Sequence, residues 1–235
     1  MLVGILETGR PPAELAADYG SYASMFEKLL GNKQLDFQVF SILDDQFPAS
    51  PNTCHAWLIT GSRHGVYENL PWMLKLQDFI RAVRDAKVPM IGICFGHQII
   101  AQALGGEVQK SPKGWGIGVH EYQIHYALPQ MDKTNQFRIY AMHQDQVIKR
   151  PPDAQVVASS EFCEYAALVY GDSILTFQGH PEFTDNFERD LLELRKGAII
   201  PTAQADQVLE AIESRKVKAE GGKVGDWMAG FLKKA

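Results

Sequence analysis

Cysteine is scarce in this chain. Cys54, Cys94 and Cys163 are far apart and odd in number, so no disulfide framework is expected and a reducing compartment suits them. No apolar run is long enough to span a bilayer. The opening MLVGILETG has no basic n-region and its apolar run stops at Glu7, so neither a signal peptide nor a membrane association is expected and the location expected is cytoplasmic. Basic runs are missing too, and the formal net charge is −5, which argues against nucleic acid as a partner. Repeats, low-complexity tracts and convincing linkers are also absent. What remains is 235 residues, 46% hydrophobic and 22% charged, the make-up of a globular protein with a sizeable core. One domain over 1–235 is expected, with a helical tail from about 201.

The chain then reads as alternating elements. Leu2 to Leu6 suits a first strand. The residues after Pro11-Pro12, with Leu15, Tyr19, Tyr22, Phe26, Leu29 and Leu30 near one face, predict a single helix ended by Gly31-Asn32. Phe37 to Ile42 and His55 to Thr60 read as strands, and Pro71 to Ala86 as a helix. Val88 to Ile93 is a short apolar run that suits a buried strand, and Gln98 to Leu104 a helix ended by Gly105-Gly106. This alternation predicts an α/β fold, a doubly wound and mostly parallel sheet flanked by helices. From Gly106 the pattern changes. Gly118 to Tyr126, Gln136 to Met142, Ala154 to Ala158 and Tyr165 to Tyr170 are expected as antiparallel additions at one edge. Ser173 to Phe177 is a further strand, and Thr184-Asp185 starts a helix carrying Phe187, Leu191, Leu192 and Leu194. The tail predicts one helix from Ala203 to Lys218, a break at Gly221-Gly222, and a short amphipathic helix from Gly225 to Leu232.

Two strand ends carry chemistry. Gly92-Ile93-Cys94-Phe95-Gly96 is a G-x-C-x-G turn between a strand and a helix, the logic of a nucleophile elbow in which flanking small residues let the backbone fold sharply. A thiol there also sits at a helix N-terminus, where free N–H groups favour thiolate. Alone, the pattern equally suits a buried structural cysteine. The second strand end decides between them. Gln178-Gly179-His180-Pro181-Glu182 follows a strand directly, and Pro181 biases His180 toward extended geometry. Residues i and i+2 of an extended segment share a face, so Glu182 can fix the His180 tautomer and leave its other nitrogen for Cys94. That is nucleophile, base and orienter. Gly61-Ser62, at the end of the third strand, also falls where open α/β sheets collect ligands.

GICFGHQ together with QGHPE resembles the class I glutamine amidotransferases, the type with a cysteine–histidine–glutamate triad. The resemblance implies that Cys94 is the nucleophile, His180 the base and Glu182 its orienter, with the backbone N–H groups of Gly61 and Phe95 as oxyanion hole. It implies that Gln98 helps hold glutamine. It also implies that the string His143-Gln144-Asp145-Gln146-Val147 lines the glutamine pocket, as in the guanylate synthetase amidotransferase domain. Ser62, Gln98, His143 and Gln144 are thus the candidate substrate contacts, although His143 stays open between pocket wall and packing residue. The implied reaction is hydrolysis of the glutamine γ-carboxamide through a γ-glutamyl thioester, with ammonia passed to an unseen synthase subunit.

GICFGHQIIAQALGG with KGWGIG is also similar to plant γ-glutamyl peptidases, which use the same triad on γ-glutamyl amide bonds of peptides. A third alternative, a non-catalytic regulatory relative, ranks last because all three triad residues are present. No cofactor is expected. No metal site is expected either, since Cys54, His55 and His64 lack a second ligand cluster. His97 is expected to be structural, and Lys113 to Gly118 a loop flanking the site, not a nucleotide cradle.

Overall fold

The computed structural model describes residues 1–214 and 217–234. Among these the elements run β1 (Leu2–Glu7), α1 (Ala13–Tyr19), α2 (Tyr22–Leu30), β2 (Asp36–Ser41), β3 (Ala56–Ile59), α3 (Pro71–Asp85), β4 (Met90–Ile93) and α4 (Phe95–Ala103). They continue with β5 (Glu107–Lys110), β6 (Gly116–Ile124), β7 (Gln136–His143), β8 (Asp145–Lys149), β9 (Ala154–Ser159), β10 (Ala167–Tyr170) and β11 (Ile174–Phe177). Three helices close the chain: α5 (Asp185–Arg195), α6 (Thr202–Glu213) and α7 (Gly221–Leu232).

The main sheet has nine strands in the order β2-β1-β3-β4-β11-β10-β9-β6-β7. The five from β2 to β11 are parallel, and β10, β9, β6 and β7 add antiparallel to one side. The α/β fold with its antiparallel extension is as the alternation of elements predicts. The period of two along the buried strands splits the core between the faces. Ile91 and Leu58 pack with Phe26 of α2 and Val224, Trp227 and Met228 of α7. Trp57, Ile59 and Met90 pack with Leu76 and Ile80 of α3 and with Phe95 and Ile99 of α4. A third cluster joins α5 and α6 to the end of the sheet through Tyr140, Met142, Phe183 and Leu191.

Local details differ from these expectations. The single helix up to Leu30 is two, because the chain turns at Gly20 and Ser21 caps a new helix: Ser24 N–H donates to Ser21 Oγ and Ser21 N–H to Ser24 Oγ. The helix after Cys94 starts at Phe95, not Gln98. Glu107 to Lys110 and Asp145 to Lys149 pair as a separate two-stranded sheet that short polar runs do not announce. Gly116 to Gly118 belong to β6, so the glycine-rich stretch is a loop only in its first half. In the tail, α6 stops at Glu213, short of Lys218, with Arg215 and Lys216 of that expected helix outside the described residues. Gly221-Gly222 form the first turn of α7, and Glu220 N–H just before them donates to the Arg138 carbonyl at 2.6 Å.

Candidate active site

The carboxyl ends of β3, β4 and β11 meet at one end of the parallel strands, with β4 between the other two. Open α/β sheets bind ligands at that edge because the chain leaves each strand there for a helix or loop whose backbone groups are free. β4 leads into Cys94, the residue that caps α4, whose backbone sits at φ +52° and ψ −103°, a strained geometry for a residue with a side chain. Neighbouring backbone holds it there. Cys94 N–H donates to the Phe177 carbonyl at 2.8 Å, and the Cys94 carbonyl accepts the Gln98 N–H at 3.0 Å. Gly96 makes the turn sterically feasible, since a Cβ there would lie 2.4 Å from the Ile59 carbonyl oxygen.

β11 delivers His180. Its N–H donates to the Tyr140 carbonyl of β7 at 2.7 Å, and Pro181 keeps the segment extended. His180 Nδ1 lies 2.7 Å from Glu182 Oε1. Against a carboxylate, Nδ1 carries the proton and Nε2 is left free. The ring stacks on Phe183 with centroids 4.0 Å apart and 11° between planes. Cys94, His180 and Glu182 are all nearly buried, 6%, 5% and 6% exposed. Burial alone pulls an imidazole pKa down. Here the Glu182 charge, then the Cys94 charge and hydrogen bonds to both, override burial and hold His180 above its ordinary range.

Gly61, after β3, closes the group. A Cβ built on it would be 3.0 Å from His180 Cε1 and 3.8 Å from Cys94 Cβ, so its backbone abuts both side chains. Among the described residues neither the Gly61 N–H nor the Phe95 N–H donates to another backbone carbonyl; for Phe95 this follows from its place in the first turn of α4.

A cavity of about 350 Å³ opens over Cys94 and His180. Ser62, Gln98, His143 and Gln144, the candidate substrate contacts from sequence, all line it. They are not equally available. Gln98 Nε2 donates to the Asp145 carbonyl at 2.9 Å and to Gln178 Oε1 at 3.1 Å, which leaves its own carbonyl oxygen for a ligand. Ser62 Oγ accepts the His64 N–H at 3.3 Å. His143 Nδ1 lies 3.1 Å from the Asp145 carbonyl, so that nitrogen is protonated, and burial pushes the pKa down to about 3. His143 is therefore neutral where it lines the cavity, and its ring packs edge-on against Phe162. His97 is turned away from the cavity, fully buried, with Nδ1 2.7 Å from Thr176 Oγ1.

Trp115, from the loop expected to flank the site, does line the cavity, whereas Tyr22, Arg63, Lys110 and Arg195 escaped the sequence reading. These four come from separate stretches, and no spacing links them. Phe183 could have been found, since it follows the H-P-E string directly. Among the described residues no group of three or more His, Cys, Asp or Glu side chains is arranged to hold a metal ion. Nor is any helix long and apolar enough to cross a membrane.

The family model described as "Glutamine amidotransferase class-I" matches residues 16–195. Gamma-glutamyl peptidase 4 of Arabidopsis thaliana is 31% identical over 198 residues, 80% of this chain and 79% of that protein. The glutamine-hydrolysing GMP synthase of Aromatoleum aromaticum is 33% identical over 70% of this chain, but over only 33% of its own length. The crystal structure of a glutamine amidotransferase from Thermotoga maritima superposes with a TM-score of 0.75, covering 99% of both chains at 19% identity.

Proposed function

We propose that this chain, which belongs to the class I glutamine amidotransferase family, hydrolyses γ-glutamyl amide bonds through a thioester on Cys94. The observation that carries this reading is the convergence of Cys94, His180 and Glu182 beneath one cavity, beside two N–H groups without a backbone partner. With His180 protonated against Glu182, Cys94 is the thiolate. It attacks the γ-carbonyl carbon, and the developing oxyanion takes hydrogen bonds from the Gly61 and Phe95 N–H groups. As the tetrahedral intermediate collapses, the C–N bond breaks and the departing nitrogen takes the His180 Nε2 proton. Neutral His180 then removes a proton from water, which attacks the thioester carbonyl. Glutamate leaves, and His180 and Cys94 return to the ion pair. Glu182 keeps Nδ1 protonated throughout and stabilises the imidazolium.

The simplest substrate is glutamine, with ammonia as leaving group and a separate synthase as its consumer. A second reading, hydrolysis of γ-glutamyl peptides without any partner, is favoured by a specific observation: similarity to Arabidopsis γ-glutamyl peptidase 4 spans most of both chains, whereas that to GMP synthase spans a third of the synthase.

The test is glutamate release by the purified chain from glutamine and, separately, from γ-glutamyl dipeptides, with Cys94→Ala as control. Release lost in Cys94→Ala, and a γ-glutamyl adduct on Cys94 in acid-quenched wild type, are expected. Activity of Cys94→Ala within about tenfold of wild type overturns the thioester mechanism.

A further inference from the structure

The cavity wall carries three cationic side chains, Arg63, Lys110 and Arg195. Among the described residues none of the three forms a salt bridge or a side-chain hydrogen bond, whereas Arg138, Arg189 and Lys223 on the outer surface are all paired. The three are not equivalent. Arg63 belongs to the loop after β3, and that loop is tied to Asp145 by the Tyr67 hydroxyl at 3.2 Å. Lys110 sits opposite Asp145 in the β5–β8 pairing and lowers the Asp145 pKa against the burial that raises it. With Asp145 and Glu68 beside them, these two cations form a wall of mixed charge. Such a wall suits the α-ammonium and α-carboxylate of a γ-glutamyl group.

Arg195, half-buried, also lines the cavity, as do Tyr22, Trp115, Phe183 and Ile199, and its charge is felt by Tyr22. Of the acids that line the cavity, Glu68 takes the Gly65 N–H and Asp145 the Tyr67 hydroxyl, and neither pairs with Arg195. Glu188, which feels the Arg195 charge, is fully buried with Oε1 taken by the Gly118 N–H at 3.1 Å. An arginine in the last turn of a helix commonly serves the helix end. Here the Arg195 carbonyl accepts the N–H groups of Ala198, Ile199 and Ile200, the Leu192 carbonyl accepts that of Lys196, and the guanidinium bonds to neither.

Rings packed in series run from the acid, His180, to Tyr22, which feels the Arg195 charge. Phe183 stacks on His180, and Tyr22 stacks on Phe183 with centroids 6.3 Å apart. Tyr22 in turn senses the charges of Arg195, Glu182 and Cys94. Because His180 hands its proton to the departing nitrogen, the leaving group starts out beside His180, near Phe183 and Tyr22. Ammonia carries nothing for a guanidinium to read. An amino acid or short peptide does, and a guanidinium matches a carboxylate in charge and in its forked geometry.

Resting on the γ-glutamyl hydrolase reading above, we propose that Arg195 anchors a carboxylate on the leaving half of the substrate. The substrate class is then γ-glutamyl amino acids and peptides with a free C-terminal carboxylate. In the reaction the γ-glutamyl C–N bond breaks, the nitrogen takes the His180 proton, and the product amine leaves with its carboxylate still paired to Arg195.

The experiment compares γ-glutamylglycine with its C-terminal amide, γ-glutamylglycinamide, in wild type, Arg195→Gln and Arg195→Lys, with glutamine run alongside. Wild type is expected to favour the free acid by ~10- to 100-fold in kcat/KM, mostly through KM, the usual effect of one charge-assisted contact. Arg195→Gln is expected to bring the acid-to-amide ratio close to one, and Arg195→Lys to keep part of the preference. An acid-to-amide ratio near one in wild type, or a ratio unchanged in Arg195→Gln, overturns the assignment of Arg195 while leaving the hydrolase reading intact. Hydrolysis of glutamine alone has that same meaning. No glutamate from any of the three compounds overturns the hydrolase reading itself.

Discussion

Replacing Glu182 by glutamine removes a charge while keeping the shape and one acceptor oxygen. The Nδ1···Oε1 contact of 2.7 Å can therefore survive geometrically, and what is lost is the anion beside a buried imidazolium. The His180 and Glu182 side chains are 5% and 1% exposed, so solvent screens the pair little. The other Glu182 oxygen has no partner among the described residues, so the carboxylate interaction is concentrated on His180. Removing one partner of a buried charge pair costs ~3–5 kcal/mol, and if most of it falls on the protonated imidazole, kcat/KM drops ~10²- to 10⁴-fold. The effect should stay below that of Cys94→Ala, because the base remains. Two assays read it: glutamate release, and the pH dependence of Cys94 alkylation by iodoacetamide, followed by mass spectrometry of its peptide. In the variant His180 loses its proton at lower pH, so the alkylation profile shifts. Peptide resolution also sets aside Cys54 and Cys163, whose thiols burial pushes up, that of Cys163 to about 12. A kcat/KM within about threefold of wild type, with an unmoved profile, would refute Glu182 as the partner that stabilises the imidazolium.

Other perturbations test the surroundings. Gly61→Ala puts a Cβ 3.0 Å from His180 Cε1. The imidazole must give by a fraction of an ångström, so kcat/KM should fall ~10- to 100-fold while the melting temperature barely moves; wild-type activity would remove Gly61 from the site. Gly221→Ala puts a Cβ 2.1 Å from the Pro181 carbonyl oxygen, between His180 and Glu182, whereas Gly222 has open space around it. The first substitution should cost both stability, ~1–3 kcal/mol, and turnover, and Gly222→Ala neither, as read by urea denaturation and steady-state rates. His97 and His143 are both drawn by burial from 6.5 to about 3. The unfolded chain therefore binds more protons across that interval, and stability rises with pH through it and is lost as pH falls. Glu188, which burial raises from 4.5 to about 7, works the opposite way in the upper part. Two histidines outweigh one carboxyl. Urea midpoints should climb from pH 4 to 6 by the equivalent of ~1 kcal/mol or more, and His97→Gln should flatten the climb. A flat profile in wild type would show that these imidazoles are not buried neutral.

How much of this was legible in the sequence depended on whether the signal was local. The apolar run Met90 to Ile93, the turn around Cys94 and the H-P-E string each bring their own geometry over a few consecutive residues. A strand followed by a tight turn places its last residue at the sheet edge whatever the rest of the chain does. The five parallel strands, the elbow and the His180–Glu182 contact could thus be read directly. The break between α1 and α2 was also written locally, in Ser21 and Ser24, but periodicity across Tyr19 and Tyr22 masked it.

Tertiary structure alone decided the rest. β5 and β8 are short and polar, and they exist because they find each other across 35 to 42 residues of chain. Gly221-Gly222 reads as a helix break; packing against Pro181 makes it the start of a helix resting on the candidate catalytic loop. Arg63, Lys110 and Arg195 carry no motif, because a charge is recognised by where it stands and not by its neighbours in sequence. The chemistry of the bond to be broken was written in short strings whose backbone geometry is self-contained. What the leaving group can be depends on side chains from distant segments, and their meeting is a property of the packed fold.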